Sequence, residues 1–525
     1  MKKYIYLLSI AFCFTYTQCD KQLDLSPLGQ LSEASFYQTE AEFEAGTYGV
    51  YSTLLNLYWN DQYIRIDIWP DDDAVPPNNN TEDLENFNWT PTNGGNAEHI
   101  WTQSYIGIAR ANTLIEQLPL ATRFADDSNK PRFEGEARFL RAYFYFLLAT
   151  HYERPPITLD VIEGSVENAR LPLSESGEVW DAIIADLVFA QENLPEDFGD
   201  EKGRANANTA SALLGKVYLY RAQWENTASY YDNAITEFEK VIGKYTLGDY
   251  GDNFSAFEEN NPESIFEVQF VFGSGDNTWL ATDFGAAGDQ NVGSGATQRS
   301  VHFRPGCFNA DCAPGANDRG YGNVHVTQGL QDEFEADDPR RQETIFLQGD
   351  PYPHNEGTAT FQEAWSVTGS TPAKYILHDD PTQPPGRPNA SLNNERIIRY
   401  ADVLLMLAEA KILSSSPDFA GAAALINQIR ERASPALPDV AVGSRDEMFD
   451  ALMHERRVEL AFEGHRYNDL VRWHRGGLID IKTDIDFGRQ SANQNWSEKH
   501  LVRPIPQGQR DINSNLAQLE EYSGG

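Results

Sequence analysis

Apolar residues recur at helical spacing in two regions of the chain, separated by a long stretch without period. Within residues 40–57, Phe43, Thr47, Val50, Tyr51 and Leu54 share one helix face. From residue 98, Trp101, Tyr105, Ile108, Ala109, Asn112 and Ile115 share another. The run EARFLRAYFYFLLA inside 133–152 is apolar all round, the pattern of a helix buried on every side, and Pro155-Pro156 ends it. Further helices are predicted over 178–194, 208–224 and 225–243, the last two as a hairpin. Toward the C-terminus, NERIIRYADVLLMLAEAKIL, FAGAAALINQIRERA and MFDALMHERRVELAFEGHRYNDLVRWHR predict three helical segments, with breaks at 414–418 and 434–444. Tyr400, Val403, Leu404, Leu407 and Ala408 in the first and Ala422, Leu425, Ile426 and Ile429 in the second form single faces, so these two pack antiparallel.

Leu214, Gly215 and Tyr218, then Tyr231 and Ala234, fall at tetratricopeptide offsets, where a small residue lets two helices approach, although the Trp and Pro positions of that pattern are not met. Ala408, Ala420 and Ala424 are assigned the same role in the C-terminal hairpin. Between the helical regions, 245–393 reads as a loop-rich insertion with one strand, ESIFEVQFVF (263–272), and one amphipathic segment, LQDEFEADDPRRQETIF. Its recurrent aromatic residues argue against disorder.

A formal charge of −38 excludes a nucleic-acid surface, which needs clustered Lys and Arg, and disfavours direct docking on an anionic membrane. Lys2 and Lys3, the apolar run 4–14 and Cys19 read as a secretory signal peptide (1–18) followed by an acylated cysteine and a tether (19–39). Tyr16 and Gln18 depart from the usual residues before such a cysteine, but no small-x-small cleavage site lies nearby. Cys307 and Cys312 then remain, spaced to close a small disulfide loop in an oxidising compartment. A metal reading would need His302 and His325 as further ligands, at a spacing that matches no zinc pattern.

In the third C-terminal segment Glu455, Glu459 and Glu463 stack at i+4. A general acid needs a raised pKa, whereas each of these has an arginine within helical reach, which favours paired carboxylates in a structural helix. No G-x-S-x-G, Walker-type loop or H-E-x-x-H occurs, so no catalytic residue, cofactor site or metal site is assigned. Asp71, Asp72 and Asp73 follow no calcium-loop spacing and read as a solvated loop.

RYADVLLMLAEA, INQIRERA and HERRVELAFEGHRYNDLVRW together resemble the C-terminal signature of the SusD/RagB family, and the W-x3-Y-x2-I-x-R-A-N arrangement from Trp101 and the tail LVRPIPQGQRDINSN agree with it. The resemblance implies a mainly α fold: a tetratricopeptide-like helical repeat bundle (40–244 and 394–525) interrupted by a large, partly β insertion (245–393). It also implies a lipid-anchored outer-membrane protein that passes nutrients to a SusC-like TonB-dependent transporter and acts as its lid. Two aromatic loop regions are then expected to form an oligosaccharide site, because a sugar needs exposed ring faces with amide, acid or guanidinium groups beside them. The candidates are Trp69, Asp71, Asn78, Trp89 and Asn93 from 59–93, with Trp279, Phe284, Tyr321 and Trp365 from the insertion. Peptide binding, as in the RagB branch, and a secreted glycoside hydrolase stand as the alternatives.

Overall fold

The computed structural model describes residues 36–58, 66–76, 82–92, 97–162, 164–270, 299–306, 320–354, 357–376 and 393–522. The signal peptide, Cys19, Asn78, Asn93, Trp279, Phe284, Cys307 and Cys312 lie outside the described residues.

Among the described residues, six long helices open the fold: α1 (Glu40–Tyr58), α2 (Ala97–Gln117), α3 (Lys130–Tyr152), α4 (Glu178–Asn193), α5 (Ala207–Trp224) and α6 (Ser229–Glu239). Each packs on the next, across the long connections 59–96 and 153–177 as well as the short ones. In α3 every residue from Phe139 to Tyr152 is buried, as its all-round apolar run predicts. Its one arginine in that run, Arg141, is taken up by Asp186 of α4 (2.7 and 2.8 Å) and by Asn112 of α2 (2.7 Å), so the buried charge is paired. At Gly215 of α5, a Cβ would lie 2.6 Å from the ring of Phe238, which fixes how closely α5 and α6 approach.

The C-terminal region contributes α7 (Tyr400–Leu413), α8 (Phe419–Arg432), α9 (Arg445–Leu460) and α10 (Arg466–Arg475). Helix α7 packs against α5, α6, α8 and α9, so the repeat bundle continues across the intervening insertion. That enclosure buries α7 on all sides instead of along one face. Ala422 and Ala423 face the core of the α7–α8 hairpin; Ala420 and Ala424 are exposed, which corrects their expected packing role. The predicted third helix is two helices, because Phe462 and Gly464 take positive φ (+62° and +80°) and turn the chain between α9 and α10.

Among the described residues, eight short strands complete the fold: β1 (Ala74–Val75), β2 (Ser264–Val268), β3 (His325–Val326), β4 (Ile345–Phe346), β5 (Pro351–His354), β6 (Gly357–Thr360), β7 (Thr371–Pro372) and β8 (Glu395–Arg399). They pair antiparallel as β1–β3, β2–β8, β4–β7 and β5–β6. Strand β8 replaces the predicted start of a helix. Its buried positions include Glu395, Arg396 and Arg399, so its hydrophobic pattern is not that of a strand.

Beneath this strand pair lies a layer of buried charge. Glu455 meets Arg340 (2.5 Å) and Arg430 (2.9 Å), and Glu459 meets Arg340 (3.1 Å), Arg399 (2.7 Å) and Arg432. Glu463 meets Arg399 (2.7 Å) and Lys374 (2.8 Å). The three acids are therefore paired as expected, but by arginines and a lysine from other elements. Arg456 turns instead to Asp402 (3.0 Å) and Asp469 (2.9 Å).

Candidate functional site

One exposed aromatic ring stands on a hairpin built from the insertion. Residues 302–305 and 320–323 run side by side: the Asn323 N–H donates to His302 O (2.9 Å), the Gly322 N–H to Arg304 O (2.9 Å) and the Gly320 N–H to Pro305 O (3.0 Å). Gly322 takes φ +60°, which a residue without a side chain adopts at no steric cost. Strand β3 follows directly and pairs with β1, while the Thr327 N–H donates to Asp73 O (2.9 Å).

Tyr321 is 41% exposed on this hairpin, its ring centroid 4.9 Å from that of His302 at 56°. The Asn323 amide lies 2.7 Å from His302 Nδ1, and the Arg304 Nε–H donates to Ser300 Oγ (3.2 Å). An open aromatic face thus has an amide and a guanidinium within one hairpin, while His302, 4% exposed, backs the ring. Those are the groups that bind the apolar face and hydroxyl rim of a sugar. Arg304 and Asn323 were not singled out from sequence, and His302 was weighed only as a metal ligand, because only the pairing of 302–305 with 320–323 brings them beside Tyr321.

Three other candidates have structural roles. Trp69 is 1% exposed, and its indole N–H donates to Asn323 O (2.8 Å), so it supports the hairpin from below. Asp71 is buried and accepts from the N–H groups of Asp73 (2.8 Å) and Ala74 (2.9 Å), closing a turn. Trp89 is buried under the Arg503 guanidinium, 3.8 Å from its ring centroid, and its indole N–H donates to Leu84 O (2.9 Å). Burial removes all three from a ligand-facing set. Trp365 is half-buried and packs edge-on against Tyr352 (5.6 Å) and Phe361 (5.5 Å), with part of its surface open.

The Asp71–Asp73 run is likewise buried, not solvated. Arg466 grips Asp72 through Nε (2.7 Å) and Nη2 (2.9 Å), and Arg457 reaches both Asp72 (3.0 Å) and Asp73 (2.7 Å). Arg489 donates to the carbonyls of Trp69, Asp71, Ala74 and Glu85. Burial would raise the Asp72 carboxyl, but the two guanidinium groups hold it well below the usual carboxylate range. At Asp71, burial, with Asp73 and Asp72 beside it, outweighs the nearby Arg489 and pushes the carboxyl well above that range. Among the described residues, no group of His, Cys, Asp or Glu is arranged to hold a metal ion.

Next to Trp89, His500 is 1% exposed, and burial, with Lys499 and Arg503 nearby, pushes its imidazole down to about 3. A folded-state pKa below the unfolded value means that His500 supports the fold fully above about pH 6.5, and that this support is lost as pH falls toward 3. Between pH 7.5 and pH 4, His500→Gln is therefore expected to lose about 2–3 kcal/mol less than the unaltered protein, in urea titrations at each pH. Equal losses in the two proteins would show that His500 does not set this slope.

Residues 262–522 match the family model described as SusD family, and residues 22–219 match one described as starch-binding associating with outer membrane. SusD-like protein P25 of Formosa agariphila is 24% identical to this chain, over 99% of it and 98% of its own length. A SusD-like protein of Bacteroides ovatus is 26% identical over 87% of this chain and 80% of its own. Among solved structures, a laminarin-binding SusD-like protein matches with a TM-score of 0.73 at 27% identity, covering 92% of this chain and 100% of that one.

Proposed function

Because the chain belongs to the SusD family, we propose that it is a cell-surface lipoprotein that captures oligosaccharides at the Tyr321 hairpin. It hands them to a SusC-like TonB-dependent outer-membrane transporter and closes over that barrel as its lid. The observation that carries the glycan assignment is the exposed Tyr321 ring, flanked by His302, Asn323 and Arg304, in a chain whose 27%-identical structural relative is a laminarin-binding protein. Anchoring through acylated Cys19 is supported by the leader before it and by the family description, which names association with the outer membrane. No described helix is long and apolar enough to cross a membrane. The protein acts by binding, not turnover: Glu455, Glu459 and Glu463 are buried and paired with cations, an arrangement unsuited to a general acid.

The test is calorimetric titration of the chain lacking residues 1–19 against plant, algal and host oligosaccharides and mixed peptides, with product analysis over hours. One glycan class is expected to bind uncleaved, and Tyr321→Ala to weaken it by about tenfold, the scale of one aromatic contact. Binding of peptides alone would assign the RagB-type role, and cleavage by this chain would overturn both readings.

A further inference from the structure

A second groove lies between the α4–α5 turn, the segment after α6 and the first residues of β2. It comprises a polar cavity of about 500 Å³ and, beside it, a more apolar one of about 260 Å³, both bordered by Lys202, Gly203, Arg204 and Glu267. None of the lining residues belongs to the Tyr321 hairpin. Gly203 takes φ +82°, and a Cβ there would lie 2.4 Å from Gln269 Cγ, so glycine lets the turn close against the strand and shape the ridge between the cavities.

The apolar cavity is walled by one face of α1, where Tyr48 and Leu55 lie at i, i+7, and by Val268 opposite. Tyr48 is 50% exposed, and the Arg204 guanidinium sits 5.6 Å from its ring centroid, which holds the ring in place. Arg204 is itself fixed by Glu44 and Glu136, so the ring is part of a rigid wall. The polar cavity offers amides and exposed ion pairs, Lys244 with Glu196 (2.9 Å) and Lys202 with Asp197 (3.7 Å). Such exposed pairs are weak, and their atoms are free to exchange partners with a ligand's hydroxyl groups. The polar cavity is lined by four acids, Glu196, Asp197, Glu201 and Glu267, and three bases, Lys202, Arg204 and Lys244, a near balance that favours a neutral ligand over a polyanion or a polycation. A held aromatic ring continuing into a cleft of amides and mixed charge is the chemistry of a saccharide subsite.

We propose that this groove is a second saccharide-binding site, which takes a short neutral oligosaccharide with one ring against Tyr48 and its hydroxyl groups in the polar cavity. Two separated sites on one protein would raise retention of a long glycan through effective concentration.

The experiment is hydrogen exchange of the chain lacking residues 1–19, titrated with laminarihexaose and then a panel of neutral oligosaccharides. The expected result is ligand-dependent protection of 196–208 and 264–269, with a midpoint that Tyr48→Ala shifts about fivefold upward while the midpoint at 302–305 and 320–325 stays unchanged. Tyr48 is exposed, so the variant folds. Protection confined to the Tyr321 hairpin, or a groove midpoint indifferent to Tyr48→Ala, overturns this inference and leaves the first site standing. Protection confined to the groove supports it and overturns the Tyr321 site, and protection nowhere across the panel overturns both. Protection of the groove only by a sulfated or other anionic glycan also overturns it.

Discussion

Arg399→Met is expected to destabilise the protein by about 5 kcal/mol, read from the urea midpoint, because it leaves several buried carboxylates short of a partner. Arg399 is 1% exposed, and its donors are spent on three acids and a carbonyl: Glu263 (2.8 Å), Glu459 (2.7 Å), Glu463 (2.7 and 2.9 Å) and Glu459 O (2.8 Å). No single acid loses all its partners, since Glu459 keeps Arg340 and Arg432 and Glu463 keeps Lys374. The group as a whole nevertheless loses one positive charge where water cannot replace it. Arg399→Lys is expected to recover about half the loss, because an ammonium restores the charge but not the planar fork.

The same substitution has a pH signature. Burial alone would raise the Glu463 carboxyl, but Arg399 and Lys374 bring it down from 4.5 to about 2. A depressed carboxylate stabilises the fold above its unfolded pKa, and that contribution is lost as pH falls from about 4.5 to 2. In Arg399→Met much of it is already absent. The gap between the two proteins should therefore narrow below pH 4.5, whereas a gap constant from pH 7 to 3 would mean that packing, not charge, is what Arg399 supplies.

This network also shows where sequence reading succeeds and where it stops. The helices were legible because their periods survive folding: α3 is apolar all round and buried all round. Glu455, Glu459 and Glu463 were legible as paired, since each has an arginine within helical reach. Their partners were not, because the pairing is between elements far apart in sequence, as with Arg340 and Glu459, separated by 119 residues. Strand β8 was missed for the same reason, as its buried arginines read as a polar surface until β2 and α9 are set beside it. Among the described site candidates Tyr321 is the exposed ring, while Trp69 and Trp89 occur in equally polar sequence and are buried. Local polarity cannot distinguish them, because burial is decided by what docks on the loop, here Asn323 and Arg503.

Asp72→Asn is accordingly expected to act on both stability and ligand capture, although Asp72 contacts no part of the exposed hairpin through its carboxylate. The turn at 71–73 carries β1, β1 pairs with β3, and Trp69 in the preceding turn holds Asn323 beside Tyr321. That turn is tied to the helical body through Arg457 and Arg466, so α9 and α10 position the hairpin without touching it. Neutralising Asp72 leaves two buried guanidinium groups short of a partner, at a cost of about 3–4 kcal/mol. Faster amide exchange is expected at Thr327, whose N–H donates to Asp73 O of the turn, together with about a tenfold weaker glycan affinity, measured where the variant is fully folded. Adding Arg466→Gln should restore part of the stability, with a coupling of about 1.5–3 kcal/mol in the double-mutant cycle, because it removes one of the orphaned charges. If Asp72→Asn lowers stability but binds glycan as tightly as the unaltered protein, the hairpin is held by its own β3 contacts alone. Loss of affinity in the folded variant would instead make the buried arginines of the C-terminal motif positioning residues for the binding surface.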